Sequence, residues 1–250
     1  MKFSDARAKI ERADKHIGEL EEWLADLPNS YISRIDVDPN GLYQVLVHDI
    51  VDREKVFTKA ALLIGDAVHN LKCALDYAWM QTIERVAPNA VGKFAKFPVY
   101  PTDEALEAAL RGAKIDASCE ALFRLILDKI RPHNGRDGDF AIWAIHVLDR
   151  RDKHRLLIPL APYGNISDIE LQDKGGRIHR GDTWGTDQPL PYFVTFTADL
   201  SVKNKGKLGF SIAIDETMLD YTPRVQDTFA MCSRLILAVV ETLEAFVETV

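Results

Sequence analysis

Residues 52–87 read DREKVFTKAALLIGDAVHNLKCALDYAWMQTIERVA, and no proline interrupts them before Pro88. At 1.5 Å per residue, a helix of this length is roughly 50 Å long. The segment therefore predicts one long helix that forms the spine of the fold. Its only glycine is Gly65. A glycine inside a helix costs about 1 kcal/mol relative to alanine, so we expect a close helix crossing at Gly65 that offsets this cost.

Two further elements are predicted before the long helix. The segment from Ser4 to Leu27 carries apolar residues at alternating steps of three and four, which indicates a helix with one buried seam. The alternating runs YISRIDV and LYQVLVH then flank the turn sequence Asp38-Pro39-Asn40-Gly41. This pattern is typical of a β-hairpin, predicted over residues 31–48.

Helical segments and then strand-like segments follow the long helix. Helices are predicted over about 103–111, 117–130 and 139–151. The strand-like runs are LLIPLAP, DIELQ, PYFVTFTADLSV and KLGFSIAI, separated by turns such as KNKGK. Thr222 as N-cap and Pro223 at the first helical position predict a final helix that continues to the C-terminus.

Together these elements predict a mainly α fold of the α+β class. We expect a helical bundle built on one long central helix, organised as a single domain over residues 1–250. Residues 1–155 would form the bundle with its hairpin, and residues 156–221 a β-rich insertion with a small antiparallel sheet. Residues 222–250 would form a C-terminal helix that returns to the bundle.

The composition restricts the classes of function. The 250 residues are 47% hydrophobic and 28% charged, with a net charge of −7. This charge argues against non-specific binding of nucleic acid through a positive surface, although a local basic patch stays open. The three cysteines form no CxxC pair, so neither a disulfide framework nor a thiolate zinc site is predicted. Without a signal-like start or a run of roughly 20 apolar residues, we expect a cytoplasmic protein with no membrane partner.

The long helix carries an unusual set of polar side chains on one side. At 100° per residue, one side of the helix presents Asp66, His69, Asn70, Cys73, Tyr77 and Met80. A solvated helix face is usually rich in Lys and Glu, whereas these residue types form hydrogen bonds in a cleft, move protons or bind metals. A functional site is one interpretation, and a polar network that fixes the packing is the other.

A second cluster lies in the segment HVLDRRDKHR, residues 146–155. Histidines, aspartates and basic residues alternate here near the predicted end of a helix. Cations near a helix C-terminus complement the helix dipole, which accounts for the arginines but not for the histidines and aspartates. We predict that this cluster meets the first one at a shared site, with His69 close to His146 or His154.

Two segments carry a resemblance to a known family. GDAVHNLKCALDYAWM (65–80) and WAIHVLDRRDKHRLL (143–157) resemble an uncharacterised bacterial family with the patterns GDxxHNLRxALDHxxW and LHxLxxxDKHR. The chain differs from the first pattern at Lys72, where the family has Arg, and at Tyr77, where it has His.

More loosely, a helical bundle with His and Arg near helix ends resembles the HEPN superfamily, which includes RNA-cleaving toxins and defence effectors. The resemblance implies a catalytic motif of an arginine, four to six residues, and then a histidine. None of the histidines in this chain has an arginine at that distance upstream, since Arg150 and His154 are separated by only three residues.

Three hypotheses for the function stay open, and the first is a HEPN-like effector that cleaves RNA without a metal or other cofactor. A histidine, His69 or His154, would act as general base or acid. An arginine of the second cluster, Arg150, Arg151 or Arg155, would stabilise the charge on the phosphorane. A carboxylate would orient the imidazole and raise its pKa, for which Asp66, Asp76 and Asp152 are the candidates. The candidate catalytic set is Asp66, His69, Asn70, Asp76, Arg150, Asp152, His154 and Arg155.

The second hypothesis is a metal-dependent helical-bundle enzyme. Asp66-x-x-His69 and His146-x-x-Asp149 each place a carboxylate and an imidazole one helical turn apart. If the two helices pack antiparallel, four ligands converge, and this mixed oxygen and nitrogen set suits Mn, Fe or Zn. The third hypothesis is a non-catalytic binding or assembly module. A homodimer is compatible with the sequence.

Overall fold

The computed structural model describes residues 3–26, 31–90, 95–155, 160–181, 184–189, 191–214 and 225–250. Its helices are α1 (Ser4–Asp26), α2 (Arg53–Val86), α3 (Asp103–Gly112), α4 (Ile115–Ser118), α5 (Glu120–Arg124), α6 (Phe140–Arg155) and α7 (Val225–Thr249). Its strands are β1 (Tyr31–Val37), β2 (Tyr43–Ile50), β3 (Leu160–Gln172), β4 (Ile178–Gly181), β5 (Trp184–Pro189), β6 (Tyr192–Thr197) and β7 (Ser201–Ile214). The prediction of a mainly helical α+β fold is confirmed.

Helix α2 is the long central helix predicted from the sequence, and it spans 34 residues. Helix α1 packs antiparallel to it, because Lys9 contacts Asn70 near one end of the pair while Lys59 lies over the Trp23 ring near the other. The predicted seam of α1 is buried at Ile10, Ala13, Ile17, Leu20 and Leu24. Its sixth member, Leu27, lies outside the described residues.

Helix α7 returns to α1 and α2 at the end of the chain. Arg7 of α1 forms an ion pair with Glu244 of α7 at 2.7 Å, and the Ser233 hydroxyl donates to the Asp14 carboxylate. Apolar side chains of α7, such as Phe229 and Leu243, are buried in the same core as α1 and α2. The predicted cap residues of this helix, Thr222 and Pro223, lie outside the described residues.

The hairpin is confirmed, and its turn follows from the local sequence. The carbonyl of Asp38 accepts from the Gly41 N–H at 2.8 Å, and the Asp38 carboxylate accepts from the N–H groups of Asn40 and Leu42. Gly41 has a φ of +70°, a conformation that glycine adopts without strain. The turn therefore fixes the register in which β1 pairs with β2.

The β-rich segment is antiparallel, as expected, but one of its strands leaves it. Strand β3 pairs with β4 and β5 along one edge and with β7 along the other. Strand β6 instead pairs with β2, which gives a three-stranded sheet in the order β1-β2-β6. The insertion and the hairpin, predicted as separate units, are thus joined through a shared sheet.

Two details of the predicted elements are wrong. The turn expected at KNKGK lies inside β7, and the chain turns at Ala198–Asp199 instead. The helix predicted over 117–130 is broken at Cys119, whose backbone is extended, and its second half contains a π-helical segment, Leu125–Ile130. Residues 117–130 contain no glycine or proline, so the local sequence does not predict this break.

Helix α6 extends four residues beyond its predicted end at Arg151. It begins where the Asp139 carboxylate accepts from the Ile142 N–H at 3.0 Å, an N-cap that satisfies a free donor of the first turn. Among the described helices, none combines the length and the apolar composition needed to cross a membrane.

Candidate functional site

The two predicted clusters meet where α6 crosses α2. A Cβ atom added to Gly65 of α2 would lie 2.7 Å from the Asp152 Oδ1 atom of α6. A side chain at position 65 would therefore require the Asp152 carboxylate to shift. The close crossing expected at Gly65 is therefore confirmed.

The central contact of the site joins His69 of α2 to Asp149 of α6. The His69 Nδ1 atom lies 3.0 Å from Asp149 Oδ1, and the Lys153 ammonium donates to Asp149 Oδ2 at 2.7 Å. The Asp149 side chain is only 9% exposed, whereas the His69 side chain is 44% exposed. A buried carboxylate thus holds an accessible imidazole. Since a carboxylate accepts the Nδ1 proton, the neutral ring keeps its free electron pair at Nε2.

The thiol of Cys73 lies on the other side of the imidazole. Its Sγ atom is 3.5 Å from His69 Nε2, one helical turn away on α2. Burial raises the pKa of the Cys73 thiol, and the positive charges of Lys9 and Lys153 oppose this effect. The thiol is therefore a neutral neighbour of the imidazole at pH 7.

Asn70 links the site to α1. The Lys9 ammonium donates to Asn70 Oδ1 at 3.2 Å, and the Asn70 amide donates to the Asp66 carbonyl at 2.7 Å. The Asp66 side chain itself is exposed. Asn70, the residue that follows His69, thus holds a cation from α1 close to the site.

The surroundings of Asp152 disfavour the negatively charged form of its carboxyl. Burial raises the pKa of its carboxyl, and the neighbouring carboxylates of Asp149 and Asp66 raise it further. His69 and Lys153 act in the opposite direction. Asp152 therefore retains its proton to a higher pH than an ordinary aspartate.

Asp76 belongs to a structural network rather than to the histidine site. Its carboxylate forms an ion pair with the buried Lys72 and also accepts from the Phe97 N–H at 2.8 Å. These bonds attach the segment around Phe97 to α2. We predicted that Asp66, Asp76 or Asp152 orients the imidazole. At His69 the contact is made by Asp149 instead, while the side chain of His154, the other candidate imidazole, lies outside the described residues.

The four candidate metal ligands do not converge among the described residues. Among the described residues, no three His, Cys, Asp or Glu side chains come together closely enough to hold a metal ion. The physical reason is that Lys153 occupies the second oxygen of Asp149, while the Asp66 side chain is exposed. His146 is half-buried, and its ring lies beside Trp143 with 6.0 Å between ring centroids. Burial lowers the pKa of His146, and the charges of Lys72 and Arg150 lower it further.

The remaining candidates lie near the end of α6. Arg150 is exposed and Arg151 is half-buried. His154 and Arg155 belong to α6 by their backbone, but their side chains lie outside the described residues. The predicted meeting of the two clusters is confirmed by the His69–Asp149 contact. The proximity of His69 to His146 or His154 stays a prediction, since the His154 side chain lies outside the described residues.

Two cations of the site were absent from the candidate set. Lys153 follows Asp149 by four residues, a spacing that predicts an ion pair on a helix. Lys9 lies 61 residues before Asn70, and no sequence pattern connects the two positions. Comparison of the chain with protein-family models, curated proteins and solved structures finds no match.

Proposed function

We propose that the cluster at the α2–α6 crossing is a metal-independent acid–base site that cleaves RNA, with His69 as the general base. The observation that supports this proposal is the arrangement of His69, Asp149 and Lys153. An accessible imidazole has its Nδ1 atom held by a buried carboxylate, and a cation lies on the other carboxylate oxygen. This is the arrangement in which a histidine base is oriented for proton transfer.

The chemistry needs three groups around one phosphodiester. His69 Nε2 would take the proton of the 2′-hydroxyl, and the 2′-oxygen would attack the adjacent phosphorus. The bond from phosphorus to the 5′-oxygen then breaks, and that oxygen gains a proton from water. The ammonium of Lys153 and the guanidinium of Arg150 would stabilise the negative charge that develops on the phosphoryl oxygens.

The HEPN resemblance would place the catalytic arginine and histidine at positions 72 and 77, not at Arg150 and His69. In the family pattern the Arg and His that correspond to Lys72 and Tyr77 have four residues between them, which is the HEPN spacing. Here Lys72 is buried against Asp76, and Tyr77 is exposed. The HEPN arginine and histidine are thus replaced in this chain, so we assign the base to His69 and keep only the HEPN-like architecture as part of the proposal.

A second candidate function rests on the contact between Cys73 and His69. The Cys73 thiol would give its proton to His69 Nε2, and its sulfur would attack the carbonyl carbon of an ester or amide. The bond from that carbon to the leaving oxygen or nitrogen would then break, the leaving group would take the proton from His69, and water would hydrolyse the thioester. The contact of 3.5 Å between Sγ and Nε2 favours this chemistry. The raised pKa of the thiol makes it wholly dependent on the histidine.

One experiment tests the first candidate and separates it from the second. An end-labelled, mixed-sequence single-stranded RNA is incubated with the protein in EDTA, and the products are examined for 2′,3′-cyclic phosphate ends. We expect His69→Ala to lower the cleavage rate by about 10²–10⁴-fold without loss of the fold, because the side chain is only half-buried. Asp149→Asn should lower the rate as well, whereas Cys73→Ala should leave it unchanged.

The controls define what contradicts the proposal. RNA with a 2′-deoxy sugar at the cleaved position should resist the wild-type protein. Absence of cleavage by the wild-type protein in EDTA, or full cleavage by His69→Ala, would overturn the assignment. Loss of an esterase activity in both Cys73→Ala and His69→Ala, without any RNA cleavage, would favour the thiol instead.

A further inference from the structure

An open groove lies between α1 and α2 beside the proposed site. Its volume is about 610 Å³, and its lining includes Lys9, Arg12, Asn70, Tyr77, Met80 and Gln81. Residues 9 and 12 are neighbours on one face of α1, and residues 77 and 81 are neighbours on one face of α2. The groove is thus built from two helix faces that no described element covers.

The groove is adjacent to the histidine. Lys9 reaches from the groove to Asn70, the residue after His69. The charges of Lys9 and Lys153 both act on the Cys73 thiol, whose Sγ atom lies 3.5 Å from His69 Nε2. The groove thus reaches Asn70, the residue next to His69 on α2.

Charge is distributed unevenly along the groove. Lys9 and Arg12 lie toward Asn70, whereas the acidic residues lie in the other direction. Asp5 precedes Lys9 by one turn of α1, and Glu84 lies about 21 Å farther along α2. One end of the groove therefore attracts an anionic group, and that end is the one beside His69.

The middle of the groove offers an aromatic ring and an unused hydrogen-bond acceptor. The Tyr77 side chain is 42% exposed. One turn later, the Gln81 Oε1 atom is buried and has no donor among the described residues. A buried acceptor without a donor costs free energy, and a ligand that brings an N–H group removes this cost.

We propose that this groove is a nucleotide subsite for single-stranded RNA, in which Lys9 and Arg12 hold a phosphate and Tyr77 stacks on a base. The N–H groups on the edge of that base would donate to Gln81 Oε1. A duplex keeps its base faces covered, so only an unpaired strand can stack on the ring in this way. This inference rests on the proposed function, because it names the form of RNA that reaches His69.

The test measures binding separately from cleavage. The probe is a fluorescein-labelled, 2′-O-methyl single-stranded RNA, which cannot be cleaved through the 2′-oxygen, and binding is followed by fluorescence anisotropy. We expect Tyr77→Ala to weaken binding by about 5- to 150-fold, the usual effect of removing one stacked base contact. Tyr77→Phe should retain the affinity, since the ring is kept.

Matched variants separate the groove from general surface effects. Tyr43→Ala is the control for the aromatic ring, since Tyr43 is 44% exposed on β2. Arg12→Ala should weaken binding and lower the slope of log affinity against log salt by about one. Lys15→Ala removes an exposed cation of α1 outside the groove and should change neither quantity. A probe that carries the same backbone without bases should lose the difference between the wild type and Tyr77→Ala.

The outcomes distinguish the subsite from the catalysis. Tyr77-dependent binding without any cleavage supports the subsite and overturns the catalytic assignment. Cleavage that depends on His69, with binding unchanged by Tyr77→Ala and Arg12→Ala, supports the catalysis and overturns the subsite. Absence of binding by the wild type, or equal losses in Tyr43→Ala and Tyr77→Ala, also overturns the subsite.

Discussion

Asp149 divides its two carboxylate oxygens between His69 and Lys153, and this division determines what the site can do. The ammonium of Lys153 balances the charge of the carboxylate, so an almost buried anion is tolerated there. Because Lys153 donates to Oδ2, Asp149 accepts from the imidazole through Oδ1 alone. That geometry favours proton transfer at His69 Nε2 over the binding of a metal.

His146 provides a pH-dependent test at the scale of one residue. Its pKa is lowered mainly by burial, so the folded protein favours the neutral ring while the unfolded chain takes up a proton near pH 6.5. The stability from the neutral ring is complete above that pH and is lost as the pH falls through the lower pKa of the folded state. We expect the free energy of unfolding of His146→Gln to fall less steeply than that of the wild type between about pH 7.5 and pH 5.

Denaturant unfolding at several pH values measures this difference. The slope should decrease without vanishing, because burial also lowers the pKa of His48. Identical slopes for the wild type and His146→Gln would show that the ring of His146 is not protected from protonation.

At the scale of elements, helix propensity and packing favour different residues at Gly65, where α2 crosses α6. This conflict can be tested. Alanine is better than glycine in a helix interior by about 1 kcal/mol, but its methyl group would lie 2.7 Å from Asp152 Oδ1. We expect Gly65→Ala to lose this benefit in the wild-type background and to recover it when Asp152→Ala removes the carboxylate. Thermal melting of the two single variants and the double variant gives the coupling.

Gly18 of α1 is the matched control for this prediction. It also lies inside a helix, and no atom lies within 4 Å of a Cβ added there. Gly18→Ala should therefore stabilise the protein by about 0.5–1 kcal/mol in either background. Equal stabilisation by Gly65→Ala and Gly18→Ala in the wild-type background would show that Asp152 moves aside at little cost.

The elements that could be predicted are those with a local cause. The seam of α1, the Pro-Asn-Gly turn and the uninterrupted run of α2 all specify structure within a few neighbouring residues. The break at Cys119 and the pairing of β6 with β2 depend on contacts with distant parts of the chain, and no local pattern indicates them.

The candidate site divides in the same way. The residue types and the meeting of the two helices were predictable, because both clusters lie on helices with buried apolar faces. The choice of Asp149 as the partner of His69 was not, since the two residues are 80 positions apart and three aspartates lie in the two clusters. Side-chain reach at the crossing decides between them, and the sequence does not contain that information.

At the scale of the whole molecule, one hydrophobic core extends through helices and sheets. The buried residues Leu46 of β2, Leu71 of α2, Ile166 of β3 and Leu243 of α7 belong to one connected cluster. Strand β6 adds a second link, because it pairs with the hairpin while its neighbours in sequence pair within the β3 sheet. The bundle and the insertion are thus separate segments of the sequence, but their side chains pack into one core.

The single-domain prediction can be tested through Leu46, which is 0% exposed in the central strand of the β1-β2-β6 sheet. Truncation of a buried leucine typically costs about 2–5 kcal/mol. If helices and sheets unfold as one cooperative unit, Leu46→Ala lowers the protection of slow amides in α2 and β3 by the same free energy. Native-state hydrogen exchange measures both elements in one sample.

Phe193→Ala is the control, because this side chain of β6 is 58% exposed and its loss should change stability by no more than about 0.5 kcal/mol. A loss of protection confined to the sheet, with α2 unchanged, would divide the chain into two units and contradict the single domain.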